Sequence, residues 1–229
     1  NRGANAELGY THLNAIDAPA KIFYLGYLLL LDALDGEDAE HGTVAARVLM
    51  EMRAKGYMTV VDVVSEDAAR FQKTVLPALR HIDCLVINEV EAGCCMGGNV
   101  RNADGGIDKQ ALESAARFLM DSGVHEMVGI HFPEGAIALQ KDGSLHTTPS
   151  CHIDPAEIVG SVGAGDAFCA GLLYGLHEDL PVQESLGLAA ASAWFNLQSP
   201  TATEGAPTLE QIRSHVQSCD VASTNGPAE

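Results

Sequence analysis

The chain has 229 residues, 47% of them hydrophobic and 19% charged, which is a globular composition and not a disordered one. Its 13 Lys and Arg stand against 31 Asp and Glu, a formal net charge of −18. That acid excess argues against a nucleic-acid partner, because affinity for a phosphate backbone comes from Lys and Arg; any phosphate bound here is expected to be held by backbone amides or a metal.

Residues 21–26 read as a buried strand between the Ala18-Pro19 pair and Gly26. Residues 38–55 carry Val44, Val48, Leu49 and Met52 near i, i+4 and i+8, which predicts an amphipathic helix stopped by Gly56. Residues 58–64 form a continuous β-branched run of the kind covered on both faces of a parallel sheet. A helix over 67–80, a strand over 82–87, a helix over 108–122 and a strand over 127–131 follow. This alternation predicts an α/β fold, a parallel sheet flanked by helices. After Gly135, residues 136–140, the Lys141-Asp142-Gly143 turn and residues 145–148 read as an antiparallel hairpin. Helices are predicted over 165–177, 182–198 and 208–218, with a polar tail over 219–229. With no internal repeat or Pro-rich linker, a single domain over 1–229 is expected.

The longest apolar run, residues 22–31, is shorter than the roughly 20 residues that span a bilayer, so no membrane partner is expected. No basic segment followed by an apolar stretch opens the chain, and a cytoplasmic protein is expected. Asn1-Arg2-Gly3 lacks an initiating Met, which points to a missing upstream segment. Cys84, Cys94, Cys95, Cys151, Cys169 and Cys219 show no C-x-x-C spacing and read as reduced, buried thiols. Nine histidines show no H-E-x-x-H spacing. His131, ending a strand, reads as structural, and Trp194 and Phe195 as core.

Chemistry concentrates in the stretch from Gly160 to Gly171, where small residues lead into an apolar helix starting near Gly165. Glycines let backbone fold closely around a ligand, and the first amides of a helix, with its positive dipole end, form an anion pocket. Gly160 and Gly165 have the P-loop spacing, but Asp166 stands where that loop has Lys. A carboxylate beside an anion pocket makes sense if Asp166 takes a proton from an attacking hydroxyl while amides stabilise a transferring phosphoryl group. It is equally readable as an acid in a helix first turn. A second signal lies where the strand over 82–87 runs into Asn88 and Glu91, spaced three apart at a strand-to-helix junction. An amide and a carboxylate there suit a hard cation such as Mg²⁺, or a cap followed by a solvated acid. Asp62, interrupting a Val-rich strand near its C-terminal end, is a candidate substrate contact.

Gly163-Ala164-Gly165-Asp166 with Ala167-Phe168-Cys169-Ala170-Gly171, together with Asn88-x-x-Glu91 and the Thr203-Glu204-Gly205-Ala206-Pro207 loop before a last helix, resembles the ribokinase-like (PfkB) carbohydrate kinase family. The resemblance implies a three-layer α/β/α sandwich with a mainly parallel central sheet and an incomplete lid, the upstream Gly-Gly sugar motif being absent. It implies a sugar kinase: ATP-dependent phosphotransfer to a sugar hydroxyl, with Asp166 as general base and the amides of Gly163, Ala164 and Gly165 as anion hole. It also implies Mg²⁺ organised by Asn88 and Glu91 through water, and adenine and ribose of ATP bordered by Gly135, Asn196 and Gly205. Gly160-Ser161 replaces the family's Asp-Thr, which argues against a monovalent-cation site. At the family's Thr-x-Gly-x-x-Gly strand end, only the last glycine, Gly135, is kept. Homodimers through the lid sheet occur in some relatives. A nucleoside kinase on this scaffold, or a truncated, non-catalytic nucleotide-binding relative, are the alternative readings.

Overall fold

The structure, a computed structural model, describes residues 3–224. Numbered in chain order, β1 (Ile22–Leu28), β4 (Met58–Val63), β5 (Cys84–Asn88), β6 (Met127–Phe132), β7 (Gly135–Gln140) and β8 (Leu145–Pro149) make a six-stranded sheet in that order. β1 pairs parallel with β4, Ile22 opposite Met58, and β4 pairs parallel with β5, Val60 opposite Cys84 and Asp62 opposite Val86. Val60, Val61, Leu85, Val86 and Ile87 are fully buried, as expected for central parallel strands covered on both faces. The fold is the mostly parallel, helix-flanked α/β sheet that the sequence predicts.

Two expected helices are built differently. Residues 38–43 are not helical: β2 (Glu37–Asp38) and β3 (Gly42–Thr43) form an antiparallel ribbon. Asp38 Oδ1 accepts the amides of Glu40 and His41, turning the chain, and Thr43 Oγ1 then accepts the Ala46 amide at 3.1 Å to start the helix Val44–Ala54. The helix expected over 67–80 is a chain of short pieces: Ala68–Arg70, a π-helical turn Phe71–Val75, Leu76–Ala78 and a 3₁₀ turn Leu79–His81. Pro77 explains the break, because it has no N–H for the Lys73 carbonyl and its ring pushes that carbonyl aside.

The chain divides into two compact units, Asn1–Ile130 with Ala138–Leu145, and His131–Ile137 with His146–Glu229. The second holds helices Ala164–His177, Val182–Leu197 and Leu209–Thr224, the last running through the start of the expected tail; residues 225–229 lie outside the described residues. The first two of these helices pack at glycine distance. A Cβ on Gly171 would lie 2.7 Å from Ala189 Cα and 2.8 Å from the Leu188 carbonyl oxygen. Gly171→Ala is therefore expected to destabilise the protein by about 1–3 kcal/mol, read as a lower urea midpoint; an unchanged midpoint would mean the helices part without cost.

Cys84 and Cys95 are buried, and burial pushes both thiols up to about 12. Cys151 and Cys219 depart from the sequence expectation of free, buried thiols. They are half-buried and joined in a disulfide across 68 residues of chain, their Cα atoms 6.0 Å apart. No local spacing announces such a pair, since only the return of the last helix brings Cys219 to the loop after β8. Among the described residues, no helix is long and apolar enough to cross a membrane.

Candidate active site

The candidate residues fall into two groups, one in each unit. In the second unit the helix Ala164–His177 opens on Gly163, whose φ of 86° and ψ of −1° lie in the left-handed region that glycine enters without steric cost. The Gly163 carbonyl accepts the Ala167 amide at 2.8 Å, the first intrahelical bond, so Gly165 and Asp166 sit in the first turn at the positive end of the dipole. The Ala164 amide donates to the Ser161 carbonyl at 3.2 Å, so of the three amides expected to line an anion hole this one is already used in a turn. Asp166 is exposed.

Around this helix mouth the residues are small because other groups press on them. A Cβ on Gly163 would lie 2.7 Å from Ala202 Cα, and one on Gly165 would lie 3.2 Å from His131 Cε1. His131 also packs its ring 5.0 Å from that of Phe168, which makes it a wall of the mouth. Asn196 is buried; its Nδ2 donates to the Ala202 carbonyl at 3.0 Å, whereas its Oδ1 accepts nothing among the described residues. Gly205 is tucked against the same helix end, where a Cβ would sit 3.1 Å from the Phe195 carbonyl oxygen and 3.2 Å from Asn196 Cα. Gly163 and Asn196 thus both meet Ala202, which lies in the same loop, residues 199–205, as Gly205. Gly135 belongs elsewhere in the unit: it opens β7, pressed on the Thr148 carbonyl and Pro149 of β8.

In the first unit, Asn88 caps the helix Glu89–Met96 in a reciprocal box with Glu91. The Glu91 amide donates to Asn88 Oδ1 at 2.9 Å, and the Asn88 amide donates to Glu91 Oε2 at 2.8 Å. Ser65 completes the cluster, donating to Glu91 Oε1 at 2.9 Å and accepting from Asn88 Nδ2 at 3.2 Å. Glu91 is only 3% exposed, so it is not the solvated acid that a plain cap would leave. Burial pushes its carboxyl above the ordinary 4.5, against the hydrogen bonds from Asn88 and Ser65 that pull it down. A carboxyl raised in the folded state binds protons more tightly there, so its contribution to stability is best below 4.5 and is lost as pH rises toward the folded value. Glu91→Gln is expected to flatten the fall in stability on that alkaline side, measured by urea unfolding across pH; an unchanged slope would show that Glu91 is not its source.

Asp62, near the end of β4, is buried; its Oδ1 accepts the Val63 amide at 2.7 Å and its Oδ2 accepts from the Tyr24 hydroxyl at 3.4 Å. Sequence reasoning missed Ser65 and Ala202. Ser65 carried a usable signal, since it follows the C-terminal end of a parallel strand, where α/β ligands bind. Ala202 carried none, being an ordinary residue defined by what stands opposite it.

The pfkB family carbohydrate kinase profile matches residues 1–209. The 5-dehydro-2-deoxygluconokinase of Geobacillus kaustophilus is 34% identical over 105 residues, which is 46% of this chain and 30% of that protein. Its namesake in Clostridium beijerinckii is 31% identical over 110 residues, 48% of this chain and 32% of that one. Among solved structures, ribokinase from Thermotoga maritima aligns with a TM-score of 0.65 at 18% identity, covering 95% of this chain and 64% of that one. Aminoimidazole riboside kinase from Salmonella enterica aligns with a TM-score of 0.66 at 17% identity, covering 91% and 66%. At such identities the structural likeness establishes the fold, and the chain spans about a third of the curated relatives and about two thirds of these structures. The profile covers nearly the whole chain, and with it the chain belongs to the pfkB family of carbohydrate kinases.

Proposed function

We propose that this protein transfers the γ-phosphoryl group of ATP to a hydroxyl of a sugar or sugar acid. The observation that carries the reading is the exposed Asp166 in the first turn of a helix that opens on a left-handed glycine. Backbone amides and the helix dipole at that mouth would stabilise charge on the transferring group, with Gly163 and Gly165 as donors and Ala164 sharing its amide with Ser161. Asp166 would take the proton of the attacking hydroxyl, which makes the oxygen a better nucleophile as the bond to phosphorus forms. The orphaned Asn196 Oδ1 and the loop around Gly205 would meet the nucleoside, Gly135 would border it from the start of β7, and Asp62 beside Tyr24 would meet the sugar.

Mg²⁺, when bound, would neutralise the phosphate oxygens of ATP. Asn88, Glu91 and Ser65 fit it in a particular way: the donors are all oxygens, but both Glu91 oxygens and Asn88 Oδ1 already accept hydrogen bonds. That set suits a hydrated ion held through its own waters and not direct chelation.

The test is ADP release by the protein with MgATP over a panel containing 5-dehydro-2-deoxygluconate, 2-dehydro-3-deoxygluconate, ribose and adenosine. The names of the relatives make 5-dehydro-2-deoxygluconate the expected acceptor. Turnover that requires an acceptor and stops on chelation of Mg²⁺ supports the reading. ATP binding without turnover on any acceptor overturns it.

A further inference from the structure

Cys151, His215 and Cys219 lie outside the kinase machinery, yet their ligand atoms all stand within 4.8 Å of one another. We propose that, in the reduced protein, these residues form a binding site for a soft divalent cation of the Zn²⁺ type. His215 and Cys219 are one helical turn apart on Leu209–Thr224, so their side chains share a face, and His215 Nε2 stands 3.3 Å from Cys219 Sγ. Cys151 comes from the loop after β8. Ligands of a tetrahedral zinc with ordinary bond lengths stand about 3.5–3.8 Å apart, a spacing the set would reach by parting the two sulfurs and adjusting the remaining separations, all already within 4.8 Å.

The surroundings hold these ligands as a metal site holds its own. The indole of Trp194 stacks on the His215 ring, with centroids 3.9 Å apart and planes inclined by 28°. The Nε1–H of the same indole donates to the His152 carbonyl at 3.1 Å, pinning the residue next to Cys151. One side chain thus fixes a ligand on the helix and the loop that carries another, an outer-shell role of the kind that tunes metal affinity. All three ligands line one groove, with Thr148, Gly187 and Val216.

The disulfide and the metal are exclusive states of the same sulfurs. A dithiol reductant opens the disulfide by taking over the S–S bond, its two hydrogens ending on Cys151 and Cys219. Cation binding then releases those two protons to solvent and leaves two thiolates and a neutral imidazole on the metal. Of the other four cysteines, Cys84, Cys95 and Cys169 are buried and Cys94 is half-buried, and burial pushes Cys84 and Cys95 up to about 12.

The experiment is a Co²⁺ titration of the intact protein after reduction with a phosphine and removal of the reductant under inert gas. The expected result is thiolate-to-cobalt charge-transfer absorption that saturates at equimolar metal and is displaced by Zn²⁺. It should be absent in the oxidised protein and in Cys151→Ser. His215→Ala keeps both thiols and the ability to form the disulfide, which reports its folding, and should bind Co²⁺ at least 10–100-fold more weakly, as loss of even an outer-shell partner can. The proposal is overturned if reduced protein shows no such absorption, if the absorption persists in Cys151→Ser, or if His215→Ala binds as tightly as the unaltered chain.

Discussion

Asp166→Asn is expected to lower the rate of phosphoryl transfer by about 10²–10⁴-fold, the range a positioned general base contributes. Asparagine keeps the size of the side chain and one acceptor oxygen but cannot take a proton. The competing reading, an acid that merely complements the helix dipole, makes a different forecast. An exposed first-turn carboxylate is worth about 0.3–1 kcal/mol to the helix, so its loss would appear in stability and leave the rate nearly unchanged. Asp166 is exposed and sits in that first turn under either reading, so a stability loss of up to about 1 kcal/mol is expected in both cases and the rate is what tells them apart. Steady-state kinetics, read on one preparation with thermal unfolding, separate the two. A fall in rate of less than about tenfold would remove Asp166 from the role of base.

The parts of this molecule that were legible in the sequence are those encoded over short stretches of chain. The β-branched run at β4, the Gly56 that follows the end of the helix Val44–Ala54 and the Asp142-Gly143 turn before β8 each announce their element through a local rule. Residues 38–43 were misread because acidic residues before an apolar helix look like its first turn. The Asx turn of Asp38 instead folded them into a ribbon. The Asn88–Glu91 pair was visible as a motif, but its burial was not, because the partner that closes it, Ser65, arrives from another strand end. The Cys151–Cys219 pair lies beyond local rules altogether, since only tertiary return of the last helix sets its sulfurs together. Asp166 could be picked out because glycines and an acid at a helix start are contiguous; Ala202, which decides how much room that start has, could not.

Gly163→Ala and Gly163→Asn are both expected to cut phosphoryl transfer, by on the order of 10²-fold, the cost of losing one anion-hole donor. Two requirements meet at this residue. Its φ of 86° costs an ordinary L-residue about 1–2 kcal/mol, whereas asparagine tolerates that region. Independently, any Cβ would lie 2.7 Å from both Ala202 Cα and Ala202 Cβ and 2.9 Å from its carbonyl oxygen, and the backbone share of that contact cannot rotate away. If backbone conformation were the whole requirement, Asn would restore most of what Ala loses. Because space is also denied, the two variants should be similarly impaired, and Ala202→Gly should not rescue Gly163→Ala, since it removes only one of the three contacts. The injury would reach the chemistry through the Gly163 carbonyl, which anchors the Ala167 amide and with it the turn bearing Gly165 and Asp166. Recovery by Asn, measured as kcat on the best acceptor, would show that the 199–205 loop yields and that the glycine is there for its φ alone.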